Sequence, residues 1–464
     1  MTRSFYIKTF GCQMNDRDSE IMAQSLGEHN YVETLQVDDA DLVILNTCSI
    51  RAKAEQKVMS LLGYLRKIKM NKPALKICVA GCVAQQEGQR LVEKMPHVDV
   101  VVGTQHIYNI PQLLAEAQLQ SSPRIAVGLS DSYTIPRFIP DTGPSSPASD
   151  HGTLQETEFS RFVTIMQGCN NYCTYCVVPY TRGREVSRKI KDIEDEVNVL
   201  VQSGVREITL LGQNVNSYGR TNAVTDDGSP CSFPQLLQRI AGIDNLRRLR
   251  FTTSNPKDLS EELMRCFRDL PSLCPQFHLP VQSGSNAVLK RMNRKYSIEK
   301  YRYLVDALRN YCPEIVLTTD VIVGFPGETE DDFAQTMALL ESVRFDGSFS
   351  FKYSDRPGTA SLALPDKVSE EQKARRLSRF QRRQDEISLE RNNMYIGKKH
   401  EVMVEKKSPE KYRCRARTNH VVHVSSKEYL ELGQIVDVTI THAGPHSLQA
   451  QYEANPIIEM TTEN

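Results

Sequence analysis

The sequence predicts an α/β chain in three parts: an N-terminal doubly wound parallel sheet, a central partial (β/α)6 barrel, and a small C-terminal β-barrel. Three observations carry that prediction. Short apolar runs alternate with amphipathic stretches from residue 5 to about 119, and again from about 161 to 353. A proline-rich stretch without periodicity separates the two series. Past Gly397 the pattern changes to short alternating runs with no helical stretch between them. Strand–helix alternation predicts a parallel sheet with helices packed on it, whereas consecutive short strands close into sandwiches or barrels.

In the N-terminal part, strands are expected at Phe5–Phe10, Asp41–Leu45, Lys76–Ala80 and Val98–Val102, with helices at Asp16–His29, Ala52–Met70, Gln85–Met95 and Pro111–Leu119. Cys12, Cys48 and Cys82 each follow a strand, 36 and 34 residues apart, about one βα unit per step. All three therefore fall at the carboxyl edge of the sheet, where open α/β sheets bind ligands. Gly11 and Gly81 precede two of them and would allow close backbone approach. Cys78 lies mid-strand and is expected in the core.

Residues 120–157 read as a linker, with Pro123, Pro136, Pro140, Pro144 and Pro147 and many serines. Ile125–Leu129 and Tyr133–Ile139 are apolar enough to lie on a surface, while Thr142–Gly152 reads as mobile. Over residues 158–388 six strands are expected, at Phe162–Met166, Glu207–Leu211, Leu249–Thr253, Gln276–Pro280, Val316–Val323 and Ser348–Tyr353. Helices are expected at Lys191–Gln202, Phe233–Ile243, Glu261–Phe267, Ile298–Asn310 and Asp331–Ser342. Six units fall short of the eight of a full barrel, so an open barrel is predicted, with chemistry at its carboxyl ends. Small and amide-bearing residues recur there: Leu211-Gly-Gln-Asn214, Thr253-Ser-Asn-Pro256, Val281-Gln-Ser-Gly-Ser285 and Gly324-Phe-Pro-Gly-Glu328. Any one reads as an ordinary βα turn; their recurrence reads as a pocket wall.

Ser369-Glu-Glu-Gln372 matches a capping box for a long helix reaching about Asn393. Leu377, Phe380 and Ile387 form its apolar face, and Arg375, Arg376, Arg379, Arg382 and Arg383 decorate the rest. Residues 389–455 then form the small β-domain, with strands at Glu401–Val404, Tyr412–Ala416, His420–Val424 and Ile435–Thr441. His420 and His423 are not expected to pair on a metal, since strand positions three apart face opposite ways.

The 464 residues are 40% hydrophobic and 25% charged, ordinary for a globular protein. Lys and Arg (57) balance Asp and Glu (57), which argues against a nucleic-acid binder that is basic throughout. The balance is uneven: Lys373–Arg417 holds fifteen Lys and Arg against six Asp and Glu. With Tyr412 and Tyr429, that segment suits a nucleic-acid backbone; a solvated charged face is the plainer alternative. No apolar run reaches the ~18 residues of a membrane span, and the start lacks a signal-peptide core. The expected address is the cytoplasm, and the twelve cysteines are expected as thiols or metal ligands.

Cys169-Asn-Asn-Tyr-Cys173-Thr-Tyr-Cys176 carries the most chemical information. Three thiols in C-x3-C-x2-C, with no fourth cysteine or histidine nearby, suit a [4Fe–4S] cluster with one iron left open. A structural zinc site wants four closed ligands. A chance group of buried cysteines is disfavoured by the intervening Asn170, Asn171 and Thr174. Taken alone, Cys12, Cys48 and Cys82 read as unrelated buried cysteines; beside this run they read as a second three-thiol cluster.

The C-x3-C-x2-C run matches the signature of radical S-adenosylmethionine (SAM) enzymes. Together with the N-terminal triad and the basic β-domain, which is similar to a TRAM module, it resembles the methylthiotransferase family over nearly the whole chain. Thr9-Phe-Gly-Cys12-Gln-Met-Asn15 and Asn46-Thr-Cys48-Ser-Ile-Arg51 resemble the MiaB type, the branch that methylthiolates an isopentenylated adenosine beside the tRNA anticodon. The proline-rich linker is longer than the family pattern. The resemblance implies that Cys169, Cys173 and Cys176 hold a [4Fe–4S] cluster that cleaves SAM to a 5′-deoxyadenosyl radical, which takes hydrogen from carbon 2 of the adenine. It implies that Cys12, Cys48 and Cys82 hold an auxiliary [4Fe–4S] cluster carrying the sulfur, methylated by a second SAM, so two SAM are used per turnover. Leu211-Gly-Gln-Asn214 stands where many such enzymes have Gly-Gly-Glu, placing Gln213 or Asn214 near SAM. Ser254, Gln282, Ser283, Gly324 and Gly327 complete the expected SAM contacts.

The implied partners are the tRNA anticodon stem-loop and a low-potential electron donor such as flavodoxin or ferredoxin. The sulfur donor is unassigned, no membrane is involved, and a monomer is expected. Two alternatives keep the chemistry and change the substrate, to a ribosomal-protein aspartate or to threonylcarbamoyl-adenosine in tRNA. A third, of another class, is a non-enzymatic iron–sulfur sensor that binds RNA.

Overall fold

A computed structural model describes residues 2–49, 52–120, 122–141, 159–408 and 411–453, with only the backbone at 52–55. The expectation for Thr142–Gly152, and Ile50 and Arg51 of the second family motif, fall outside the described residues. The chain divides into two compact units. The first holds residues 1–258, 291–294 and 354–364; the second holds 259–290, 295–353 and 365–464.

The first unit opens with a sheet of six strands: β1 (Arg3–Thr9), β2 (Tyr31–Glu33), β3 (Leu42–Thr47), β4 (Lys76–Gly81), β5 (Val100–Val102) and β6 (Arg124–Ala126). The order is β2-β1-β3-β4-β5-β6 and every pair is parallel. Its helices are α1 (Gln13–Gly27), α2 (Ala52–Asn71), α3 (Cys82–Glu87), α4 (Gln89–Lys94) and α5 (Ile110–Gln120). Alternate strand residues face opposite ways. Phe5, Ile44, Cys78 and Val100 pack with Ile21, Met22 and Leu114 of α1 and α5 on one face. Val43, Ile77, Val79 and Val101 pack with Val58, Leu62 and Leu65 of α2 on the other. Burial on both faces is why the strands read as continuous apolar runs.

Two sequence expectations are corrected here. The single helix expected at Gln85–Met95 is two helices that break at Gly88, whose φ is +50°. The sheet has six strands rather than four, because the short edge strands β2 and β6 carry no readable period; β6 belongs to the stretch expected as linker.

The unit continues with β7 (Ser160–Thr164), β8 (Met166–Gln167), α6 (Val178–Thr181), β9 (Val186–Ser187), α7 (Ile190–Gln202), β10 (Glu207–Leu211), α8 (Phe233–Ala241) and β11 (Arg248–Phe251). Strands β11-β10-β7 form a parallel sheet, and β8 pairs antiparallel with β9, closing the neck of the 168–185 loop.

The second unit contains α9 (Glu261–Asp269), β12 (Gln276–His278), α10 (Asn286–Arg291), α11 (Ile298–Tyr311), β13 (Val316–Val323), α12 (Glu330–Val343), β14 (Gly347–Lys352) and α13 (Glu370–Asn393). Strands β12-β13-β14 are parallel. All six expected barrel strands are present, laddered in two sets of three. Ser369 caps α13 by accepting from the Gln372 N–H at 3.3 Å. A closed barrel follows from β15 (Lys399–Lys407), β16 (Tyr412–Ala416), β17 (Val421–Ser425), β18 (Ile435–Ala443) and β19 (Leu448–Gln451), in the order β15-β16-β17-β19-β18. The fifth strand, absent from the sequence reading, closes it. No described helix is long and apolar enough to cross a membrane.

Candidate active site: two thiol triads

Cys12, Cys48 and Cys82 all lie just past the carboxyl ends of their strands. Cys12 caps α1, Cys48 follows β3, and Cys82 is the first residue of α3. The loops are locked together by short polar side chains. Asn15 Nδ2 donates to Phe10 O at 2.8 Å and Thr47 O at 2.9 Å. Thr47 Oγ1 donates to Ala80 O at 2.6 Å, and Asn46 Nδ2 to Asn15 O at 2.8 Å. Gly11, at φ +126°, presents its bare Cα to Cys48: a Cβ there would lie 2.2 Å from Cys48 Cβ and 2.8 Å from its Sγ. Gly81, at φ +90°, similarly admits Asn46 Oδ1, 2.5 Å from the position of an added Cβ. These glycines bring thiol loops together; only glycine adopts such angles without cost.

The thiols are close enough to perturb one another. The Cys12 thiol is pushed well up by its hydrogen bond with Cys48, then by burial. The Cys82 thiol is raised by burial, with Arg182 acting in opposition. Asp16, one turn along α1, is buried with both carboxylate oxygens lacking a hydrogen-bond partner, and burial lifts it to about 7. None of the twelve cysteines forms a disulfide. No group of three His, Cys, Asp or Glu side chains among the described residues is arranged to hold a single metal ion. Buried thiols, a glycine cradle and unpartnered polar atoms suit a multi-iron cluster held by thiolates.

The second triad occupies the loop between β8 and α6. Gly168, at φ +81°, lets the chain pass Arg184 O, and its N–H donates to Gln213 Oε1 at 2.6 Å. Asn171 Nδ2 donates to Cys169 Sγ at 3.2 Å and Arg294 Nη1 to Cys173 Sγ at 3.4 Å. The Cys176 thiol is pushed up to about 12 by burial and then by Cys173. Asn170 Oδ1 accepts from the Glu185 N–H at 3.1 Å, and Thr174 Oγ1 donates to Arg291 O at 2.9 Å. The polar residues between the thiols are therefore the loop's braces. The donor set is three thiols, two already supplied with N–H donors of the kind that stabilise thiolates.

The residues expected at SAM are placed as follows. In the first unit Gln213 braces Gly168, and Asn214 donates to Ser217 Oγ at 2.8 Å and Asp258 Oδ2 at 2.9 Å while its Oδ1 lacks a partner. Ser254 Oγ is buried without a partner. In the second unit Gln282 has φ +70° and its N–H donates to Asp320 O at 2.8 Å. Ser283 is fully buried beside Thr336. The Gly324 N–H donates to Glu328 Oε2 at 2.6 Å and the Gly327 N–H to Asp366 O at 2.8 Å.

The basic C-terminal segment departs from the sequence reading. Arg376 does not decorate an exposed face: it is buried against Glu328, Nη1 to Oε2 at 2.7 Å, with Glu330 beside it. Arg383 is held by Glu341, Glu386 and Glu390. Tyr412 is a core residue whose hydroxyl accepts from the Leu430 N–H at 3.1 Å, so it offers no ring to a ligand. Tyr429 is 69% exposed with Lys407 Nζ 4.7 Å from its ring centroid, and Lys398, Lys399 and Lys406 are exposed.

Sequence reasoning missed three features. Arg182 follows α6 yet reaches the Cys12–Cys82 triad. Arg188 and Arg17 share the fully buried Glu196. Phe349 and Phe351 of β14 are 59% and 48% exposed. The alternation in Gly347-Ser-Phe-Ser-Phe-Lys352 marks the two rings as one face but not as the open one.

Residues 4–103 match the model of "Uncharacterized protein family UPF0004", and residues 163–340 match the radical SAM superfamily. The tRNA-2-methylthio-N(6)-dimethylallyladenosine synthase of Desulfotalea psychrophila is 60% identical over 447 residues, 96% of this chain and 98% of that one. This chain belongs to that family. It is a radical SAM methylthiotransferase. Synthases of the same name from Syntrophobacter fumaroxidans and Geobacter sulfurreducens are 47% and 46% identical, covering 98% and 96% of the chain and 96% of each relative. Among solved structures, the radical SAM methyltransferase TsrM of Kitasatospora setae, with cobalamin and a [4Fe–4S] cluster bound, superposes with a TM-score of 0.53 at 14% identity, covering 78% of this chain and 74% of that one. At that identity the likeness is one of fold. Superfamily membership brings a [4Fe–4S] cluster and SAM.

Proposed function

We propose that the protein converts N6-isopentenyladenosine next to the tRNA anticodon to its 2-methylthio derivative. The near full-length similarity to synthases of that name carries the substrate. The meeting of Cys12, Cys48 and Cys82 at one sheet edge carries the sulfur-insertion half of the chemistry. In this reading Cys169, Cys173 and Cys176 hold one [4Fe–4S] cluster and Cys12, Cys48 and Cys82 a second. When bound, the clusters and SAM supply the one-electron chemistry that opens an inert aromatic C–H bond and the sulfur that takes its place.

The chain's own side chains do the positioning. Asn171 and Arg294 donate to the sulfurs of Cys169 and Cys173 and fix their orientation. Gln213 holds the loop's entry at Gly168, and Ser254 Oγ offers a buried hydroxyl to SAM. An anticodon-loop base can be splayed out of its stack, unlike a base in a stem. Phe349 and Phe351 offer such a base an open aromatic platform. Lys398, Lys399, Lys406, Lys407 and Tyr429 suit the phosphate backbone, with log affinity falling about 0.7 per phosphate contact against log salt. The protein is expected to act as a monomer in the cytoplasm, with a low-potential donor such as flavodoxin or ferredoxin. The test is mass spectrometry of tRNA nucleosides from a strain lacking the gene. Loss of the 2-methylthio derivative with accumulation of isopentenyladenosine is expected; unchanged 2-methylthio-adenosine would refute the substrate.

A further inference from the structure

Arg182 lies among loops at the carboxyl ends of another sheet's strands within the first unit. It lies six residues past Cys176, and its side chain is only 3% exposed. Nη2 donates to Asp18 Oδ2 at 2.6 Å and to Asn15 Oδ1 at 3.0 Å. Its positive charge also acts on the Cys82 thiol, opposing the upward push of burial. Asn15 Oδ1 accepts from Cys12 Sγ at 3.9 Å, and its amide nitrogen holds the loops that carry Cys12 and Cys48. One cation is thus tied through Asn15 to the loops of Cys12 and Cys48, and its charge reaches Cys82. Nη1 is buried with no hydrogen-bond partner among the described residues.

A plain buried ion pair with Asp18 accounts for only part of this. Removing a guanidinium from water costs several kcal/mol, and a single carboxylate offsets that only with further hydrogen bonds. An N–H left over beside thiols finds its acceptor when those thiols become thiolates, since charged acceptors make the strong hydrogen bonds. Fixed charge and hydrogen bonds to sulfur are also what set the potential of an iron–sulfur cluster.

We propose that Arg182 is the positioning and charge-balancing residue of the Cys12/Cys48/Cys82 site, holding its thiolates in register and raising the reduction potential of the cluster there. This rests on the reading that this triad binds a cluster. Asp18, the counter-charge, acts in the opposite sense.

The experiment uses the full chain carrying Cys169→Ala, Cys173→Ala and Cys176→Ala, so that any reconstituted cluster belongs to the N-terminal triad. Iron per chain is measured, and the midpoint potential is followed by electron paramagnetic resonance. Adding Arg182→Gln should move the midpoint more negative and Asp18→Asn more positive. Arg182→Lys, which keeps the charge but loses the fork, should restore most of the potential with partial loss of iron. A merely structural role would cost iron without opposite shifts. Potentials unmoved, or moved the same way by both variants, would overturn the proposal. No iron in the parent triple variant would instead overturn the two-cluster reading beneath it, and the proposal with it.

Discussion

Gly11→Ala tests the thiol cradle most sharply, because its cost divides into two parts that a second glycine separates. Gly11 has φ +126°, and its added Cβ would lie 2.2 Å from Cys48 Cβ and 2.8 Å from Cys48 Sγ. Backbone strain of this kind costs about 1–3 kcal/mol, and forced overpacking a further ~1–3 kcal/mol. The clash cannot be relieved by a side-chain rotation, since Cys48 Cβ is itself the obstacle; the loop after β3 must move. Gly204 has φ +103° with nothing within 4 Å of its added Cβ, so Gly204→Ala carries only the backbone cost. Urea denaturation of both metal-free variants under anaerobic conditions should therefore show Gly11→Ala less stable than Gly204→Ala by about 1–3 kcal/mol. After reconstitution Gly11→Ala should retain about half the iron of Gly204→Ala, as expected for loss of one of two clusters. Equal stability of the two variants, with full iron in Gly11→Ala, would refute the claim that Gly11 makes room for Cys48.

Replacing Cys12, Cys48 and Cys82 together by Ala should roughly halve bound iron while 5′-deoxyadenosine still forms from SAM; loss of all iron would contradict two independent sites. Phe349→Ala with Phe351→Ala should weaken binding of an anticodon stem-loop by about 1–3 kcal/mol, the worth of stacking one base, while SAM cleavage without RNA stays unchanged; unaltered affinity in fluorescence anisotropy would remove the platform. Burial lowers His420 from its usual value to about 4. The unfolded chain protonates it near 6.5, so between these values the unfolded state binds more protons and stability falls as pH drops. The full interval is worth roughly 3 kcal/mol, and His420→Gln should flatten the decline of the urea midpoint between pH 7 and 4; an unchanged slope would contradict a buried neutral His420.

The sheet edge that carries Cys48 and Cys82 was legible because β3 and β4 are apolar runs ended by Asn-Thr and Gly. Strands β2 and β6 were not, having three residues each at the sheet's two edges, too few for a period to show. Strand β19, four residues past the Gly444–Pro445 turn, is dictated by barrel closure rather than local pattern. Charges on α13 read as a solvated face because a sequence does not reveal that Glu328, 48 residues away, meets Arg376. Tyr412 could have been assigned correctly: it shares the inward parity of Cys414 and Ala416. Arg182 was beyond reach, since its thiol neighbours come from loops 100 and more residues earlier in the chain.

The measurement that bears most directly on the central claim is a stoichiometric one. Anaerobically reconstituted protein is given SAM, a low-potential reductant and an anticodon stem-loop carrying isopentenyladenosine, and products are quantified by mass spectrometry. The expected product is the 2-methylthio derivative, with one 5′-deoxyadenosine and one S-adenosylhomocysteine formed per methylthio group. Formation of 5′-deoxyadenosine with the adenosine left unmodified, by protein loaded at both thiol triads, would contradict that claim.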